Sequence, residues 1–149
     1  MKIIVENKKA KMAYIPTERF LAGIQLFGHE VKMLRNGRGS LVGSHVRILN
    51  HEAFLLNAQI PLYPFARDDE YEPARTRKLL LHKKELLKLE EAQSTKGLAL
   101  IPWVIGLDKN LLKVEVVIAK GKKLYERKEE LKQRDIARDT EKEMKRRGK

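Results

Sequence analysis

Apolar and polar positions alternate through residues 14–26, where Phe20, Ala22, Ile24 and Leu26 fall in one register. A period of two predicts a half-buried strand. The period changes in GHEVKMLRNG, residues 28–37. There Val31 and Leu34 share a face at i, i+3, and Gly37 stands where a helix stops, so a short helix is expected. Residues 44–49 and 53–60 read as two strands joined across Asn50-His51, because Asn tolerates the positive φ of a tight hairpin turn. Pro61 and Pro64 close the second strand, and the polar run FARDDEYEPARTR, residues 65–77, reads as a surface loop. In LLLHKKELLKLEEAQSTKG, Leu79, Leu86 and Leu89 share one helical face with Leu80 and Leu87 beside it, and Gly97 ends the helix. LALIPWVIGL and LLKVEVVIAK then flank Asp-Lys-Asn, a turn former, and Val114, Val116 and Ile118 alternate. This is a strand–turn–strand unit.

The order is strand, helix, strands, helix, strands, then a charged tail. Several short strands with two or three helices predict a mainly β fold, a small barrel of the oligonucleotide-binding type. A two-layer α+β sandwich is the alternative. The division expected is a barrel domain over residues 1–121 and a tail over 122–149. The final stretch KGKKLYERKEELKQRDIARDTEKEMKRRGK is rich in helix formers but has no apolar face wide enough to bury. An isolated helix of that length is marginal in water, and its acid–base pairs add only about tenths of a kcal/mol each. The tail is therefore expected to be disordered when free.

Charge sharpens the picture. The 149 residues hold 32 Lys and Arg against 20 Asp and Glu, a net charge of +12. Residues 120–149 contribute thirteen of the cations and seven of the acids, so the tail carries half the net charge. Such a field attracts polyanions: nucleic acid first, an anionic membrane surface second. There is no cysteine, which excludes disulfides and thiol chemistry and fits a cytoplasmic protein. The apolar run in MKIIVENKKAKMAYIP is too short for a signal peptide, and no stretch approaches membrane-spanning length.

Catalytic chemistry finds little support. His29, His45, His51 and His82 make no HExxH pair, and no phosphate loop or nucleophile elbow is present. No metal, cofactor or enzyme activity is expected. The rival in the enzyme class is a metal-dependent nuclease built on Asp68, Asp69 and Glu72. Aromatics amount to 6% of the chain and mostly fall inside apolar patterns, where core packing is the default. Recognition of folded RNA by backbone and shape, through Lys and Arg, is expected rather than base stacking. Three basic clusters stand out: NKKAK at residues 7–11, ahead of the first strand; RTRK at 75–78, where the loop enters the second helix; and KGKK at 120–123, where Gly121 lets backbone approach a phosphate. Lying at element ends, they are expected to converge on one rim of the barrel.

AGIQLFGHEVKMLRNG, RTRKLLLHKKEL and AKGKKLYERKEELKQRD, in that order and spacing, resemble the SmpB family, the SsrA-binding proteins of bacteria. The resemblance runs from Asn7 to about Arg138. It implies a barrel with associated helices that binds the tRNA-like part of tmRNA and brings it to stalled ribosomes, as a monomer on one tmRNA. There the tail is implied to fold in the empty message channel beyond the decoding centre of the small subunit. Carried over residue by residue, tmRNA contacts are implied at Asn7, Lys8 and Ala10, at Glu30 and Arg35, and at Leu81 and His82. Arg75, Arg77, Lys78 and Lys120 join them as basic candidates. Gly121, Lys122, Lys123, Tyr125, Arg127 and Lys128 match the junction that enters the decoding centre, with Tyr125 placed to stack on a ribosomal base.

Each position also has a plain structural reading: Leu81 as core, Glu30 as partner of an Arg or of a helix start. The chain departs from the family pattern at Leu21, where Glu is usual, at Met33 and at His45, and its tail is short after Arg138. Leu21 therefore puts one tmRNA contact in doubt. The rival binding module is a ribosomal protein or assembly factor that binds ribosomal RNA.

Overall fold

The computed structural model describes residues 1–122. Among them are seven strands and three helices: β1 (Lys2–Glu6), α1 (Lys8–Ala13), β2 (Tyr14–Ile24), α2 (Gly28–Arg35), β3 (His45–Leu49), β4 (Glu52–Leu56), β5 (Arg77–Leu80), α3 (Lys83–Gln93), β6 (Leu98–Asp108) and β7 (Leu111–Gly121). All strand pairs are antiparallel, in the order β1-β6-β7-β2-β5-β4-β3. The edge strand β3 folds back against β6, so the sheet curls into a barrel. One core fills it, with residues from every strand and from α2 and α3: Phe20 and Ala22, Val46 and Ile48, Leu55, Leu79, Val114 and Val116, capped by Leu34 and Leu89. The mainly β expectation holds.

Two hairpins obey local turn chemistry. Asn50 and His51 have φ of 50° and 62°, and Lys109 and Asn110 have 50° and 63°. Two consecutive positive φ values give the turn whose twist matches the flanking strands. The register that follows runs His45↔Leu56 to Leu49↔Glu52 in one hairpin and Leu98↔Lys120 to Asp108↔Leu111 in the other.

Three expectations are corrected. An extra strand, β1, precedes NKKAK and pairs with β6. A Cβ on Gly106 would lie 2.6 Å from the Lys2 carbonyl oxygen, so only glycine admits that edge. Second, Leu79 and Leu80 are strand residues of β5, and the helix begins at Lys83. The apolar run is shared: Leu79 faces the core from β5, Leu89 from α3. Third, β4 stops at Leu56, and only an isolated bridge from Ser40 to Gln59 continues towards Ile60. Asn57, with φ of 62°, breaks the strand there.

The edge strand β3 is blunted by α3. Gln93 Oε1 accepts the Ile48 N–H at 2.7 Å, and its Nε2 donates to the Ile48 carbonyl at 3.0 Å. A side-chain amide thus substitutes for a further strand on an edge that would otherwise pair with another chain.

Candidate nucleic-acid interface

The three basic clusters do not converge. Tyr14, at one end of β2, pairs with Gly121, while Gly23 and Ile24 at the other end pair with Leu80 and Leu79 of β5. Eleven residues of strand span roughly 30 Å. NKKAK and KGKK therefore share one end of the barrel, and RTRK lies at the other.

At the first end, α1 begins with Asn7, which is buried at 3% exposure. Its Oδ1 accepts the Ala10 N–H at 3.2 Å, its Nδ2 donates to the Pro102 carbonyl at 2.8 Å, and its N–H donates to Trp103 O at 3.0 Å. An Asn with both ends of its amide engaged is a helix cap tied to β6. Ala10 is buried against Ile101 and Trp103. Of the positions implied by the resemblance here, only Lys8 faces solvent, with Lys9 beside it. The tail leaves from the same place. Lys120 is exposed on β7, and Lys122 Nζ donates to the Lys11 carbonyl at 3.2 Å. A Cβ on Gly121 would meet nothing within 4 Å, so no crowding requires glycine there. Lys123, Tyr125, Arg127 and Lys128 lie outside the described residues.

At the second end the loop of residues 65–77 is organised by one carboxylate. Glu30 projects inward from α2 and is fully buried. It accepts the Phe27 N–H at 2.8 Å, closing the start of its own helix, and the Tyr71 hydroxyl approaches at 2.8 Å. Arg75 donates to both of its oxygens, and Arg77 Nε donates to Oε2 at 2.8 Å. Burial pushes the Glu30 carboxyl up, but the bonds from Arg75, Phe27, Arg77 and Tyr71 outweigh it and leave it at about 2. Tyr71 is pushed up to about 12, by burial and then by its bond to Glu30.

Arg77 is fully buried too, which corrects its place in a solvent-facing basic cluster. Besides Glu30 it reaches Ala58 O (2.8 Å), Arg75 O (3.0 Å), Tyr71 Oη (3.0 Å) and Pro73 O (2.9 Å). All five N–H donors of the guanidinium are used. The cluster also enters β5 rather than a helix. Glu30 and Arg77 are the frame of this end, and Arg75 is half-buried on its surface.

The solvent-facing candidates gather between the frame and the β6–β7 turn. Arg35 Nη2 donates to the Asn110 carbonyl at 3.2 Å. With Leu80, Leu111 and Lys113 it lines a cleft that continues past Gly23 to Leu21, Leu81 and His82. Leu81 is half-buried against the core and also lines the cleft. His82 caps α3 with its backbone N–H on Glu85 Oε1 at 3.0 Å. Lys78 lies on the outer face of β5, 3.3 Å from Glu52. Leu21 is 42% exposed at the cleft margin.

Asp68, Asp69 and Glu72 do not form a metal site. Asp68 Oδ1 accepts the Glu70 N–H and Glu72 Oε1 accepts the Ala74 N–H, both within the loop's own turns. Among the described residues no group of three His, Cys, Asp or Glu is placed to hold a metal, and no helix is long and apolar enough to cross a membrane.

The aromatic expectation holds in part, since Tyr14 and Tyr63 also pack against the core clusters. Of the eight aromatics in the described residues only Phe20 and Trp103 are buried, while Phe65 is 84% and Phe27 48% exposed. Phe65 stands in the polar loop, and that placement was the available signal.

A small antiparallel barrel with cations at both ends belongs to the class of compact nucleic-acid-binding β proteins. The SmpB protein family model matches residues 4–146, and the chain belongs to that family. It is similar to the SsrA-binding protein of Acholeplasma laidlawii, 41% identical over 145 residues that cover 97% of each chain. The SsrA-binding protein of Thermosipho melanesiensis is 46% identical, over 93% of this chain and 95% of its own. Among solved structures, a chain of "tmRNA-SmpB: a journey to the center of the bacterial ribosome" is 40% identical, with a TM-score of 0.67. The match covers 78% of this chain and 82% of that one.

Proposed function

We propose that this protein binds the tRNA-like domain of tmRNA and carries it to ribosomes stalled without a stop codon, where the nascent chain is tagged and released. The observation that carries this is family membership along nearly the whole chain, with a structural neighbour solved as tmRNA-SmpB in the ribosome. The role is that of a binding factor acting in the cytoplasm.

Within that role the two ends of the barrel divide the work. The cleft between Arg35 and His82, with Lys78 beside it, meets the tRNA-like domain of tmRNA through phosphates and an apolar floor. The frame of Glu30, Arg75 and Arg77 holds that surface in shape from below. The other end, with Lys8, Lys120 and Lys122, launches the tail, residues 122–149. A coreless chain with excess cations lacks internal packing to stabilise it, so an RNA-walled channel would supply its partners. Message occupies that channel on a working ribosome, so the tail would test whether it is empty.

The test is the RNA that co-purifies with the protein under nuclease-free conditions. Enrichment of tmRNA supports the proposal; ribosomal RNA alone would support the assembly-factor reading instead.

A further inference from the structure

We propose that the outer side of α2 and the loop facing it form an aromatic platform that stacks unpaired RNA bases on Phe27 and Phe65. The inference rests on the RNA-binding role proposed above and adds a contact chemistry to it.

Phe27 stands at the start of α2 with 48% of its surface exposed. The Arg75 guanidinium already lies 4.0 Å from its ring centroid. Arg75 is not free to swing away, because its Nε and Nη2 both bond Glu30, which is buried and ionised. The His29 ring packs 5.7 Å from Phe27 and meets Tyr71 edge-on at 4.7 Å. His29 Nδ1 is buried without a hydrogen-bond partner, so this imidazole is positioned by ring contacts. One turn along α2, Lys32 Nζ lies 5.2 Å from the Tyr63 ring, and Tyr63 meets Phe65 edge-on at 5.5 Å. His29 and Lys32, three residues apart on the helix, join the two sets into one strip.

Phe65 is 84% exposed, and its ring edge meets Tyr63, which in turn has Lys32 beside it. Rings with cations beside them suit nucleobases, which stack on an aromatic face while the cation meets the adjoining phosphate. The same loop carries Asp68, Asp69, Glu70 and Glu72, with Asp69, Glu70 and Glu72 exposed. Those acids repel a dense phosphate ladder. The platform therefore suits splayed, unpaired nucleotides of a folded RNA rather than a duplex.

The experiment uses the full chain and a transcript of the tRNA-like domain of tmRNA, titrated over a range of salt. Phe27→Ala and Phe65→Ala should each weaken binding about tenfold, as the loss of one base stack requires. The slope of log K against log salt should stay unchanged, because the cations that neutralise phosphate are all kept. Phe27→Trp should restore binding, and neutralising Asp69 and Glu70 to Asn and Gln should tighten it. Melting temperatures of the variants serve as the folding control. Affinity within twofold for both alanine variants, while Arg35→Gln weakens binding, would overturn the platform and leave the RNA-binding role standing. Unchanged RNA affinity with weakened ribosome engagement would also overturn it, by assigning the strip to another partner. No binding of the transcript by the unaltered protein would sink the functional proposal, and the platform with it.

Discussion

Glu30 and Arg77, 47 residues apart in sequence, form an ion pair at 2.6 Å in which both side chains are fully buried. Removing one member of such a pair leaves the other charged and unpaired inside the protein, at a cost of about 3–5 kcal/mol. Glu30→Gln should lower Tm by roughly 10 °C or more. Arg77→Lys should also destabilise, because three ammonium donors cannot serve five acceptor contacts. Thermal unfolding followed by circular dichroism checks both. A Glu30→Gln protein as stable as the parent would show that the frame is not required.

The same carboxylate makes stability depend on acid pH. A carboxyl held at about 2 in the folded state, against 4.5 ordinarily, contributes stability that is fully present above about pH 4.5. That contribution is lost as pH falls through 2. Its size at neutral pH is of order 3 kcal/mol. Chemical unfolding between pH 6 and pH 2 should show a steeper loss in the parent than in Glu30→Gln. Parallel curves would contradict the assignment.

Leu21 is exposed, not a core residue, and pairs across the ladder with Glu115. A carboxylate there stays in water, so Leu21→Glu should cost less than about 1 kcal/mol, the penalty of a like-charge neighbour across strands. Lys113 on the same cleft offsets part of it. Affinity for tmRNA should hold or rise. A fall of many degrees in Tm would show a structural role the exposure does not indicate.

Separation of the two ends predicts separable defects. Truncation after Lys122 should leave tmRNA affinity within a few-fold while abolishing tagging on stalled ribosomes. Tyr125→Ala should reduce tagging by the worth of a base stack, about 1–3 kcal/mol, with tmRNA binding intact. Filter binding and a reconstituted tagging assay read the two activities. A hundredfold loss of tmRNA binding in the folded truncated protein would refute the division.

Neutralising Arg35 and Lys78 together should lower tmRNA affinity and flatten its salt dependence by up to about two units of slope, one for each phosphate no longer neutralised. An unchanged slope would place the phosphates elsewhere on the barrel.

Much of this protein was legible along the chain. The strand at Phe20 and Ala22, the Asn50-His51 and Lys109-Asn110 turns, and the strand at Val114, Val116 and Ile118 follow from periodicity and turn chemistry, which are properties of neighbours in sequence. Net charge and the choice of a polyanionic partner follow from composition alone. The motifs that carry the family resemblance are likewise local strings. What the tertiary structure decided depends on pairings between distant residues. Arg77 reads as one more surface cation until Glu30 and the Ala58 carbonyl close around it. That Asn7 is a buried helix cap tied to β6 depends on the Pro102 carbonyl, 95 residues away. The strand at Lys2–Glu6 has too short an apolar run to declare itself and exists because β6 offers an edge with Gly106. Leu79 belongs to a strand because Ala53 and Ile24 flank it, although its spacing fits a helix. Exposure of Phe27 and Phe65 was decided last. The polar loop around Phe65 was one sequence signal of exposure, but Phe27 follows an apolar run, and only its packed neighbours determine that it faces water.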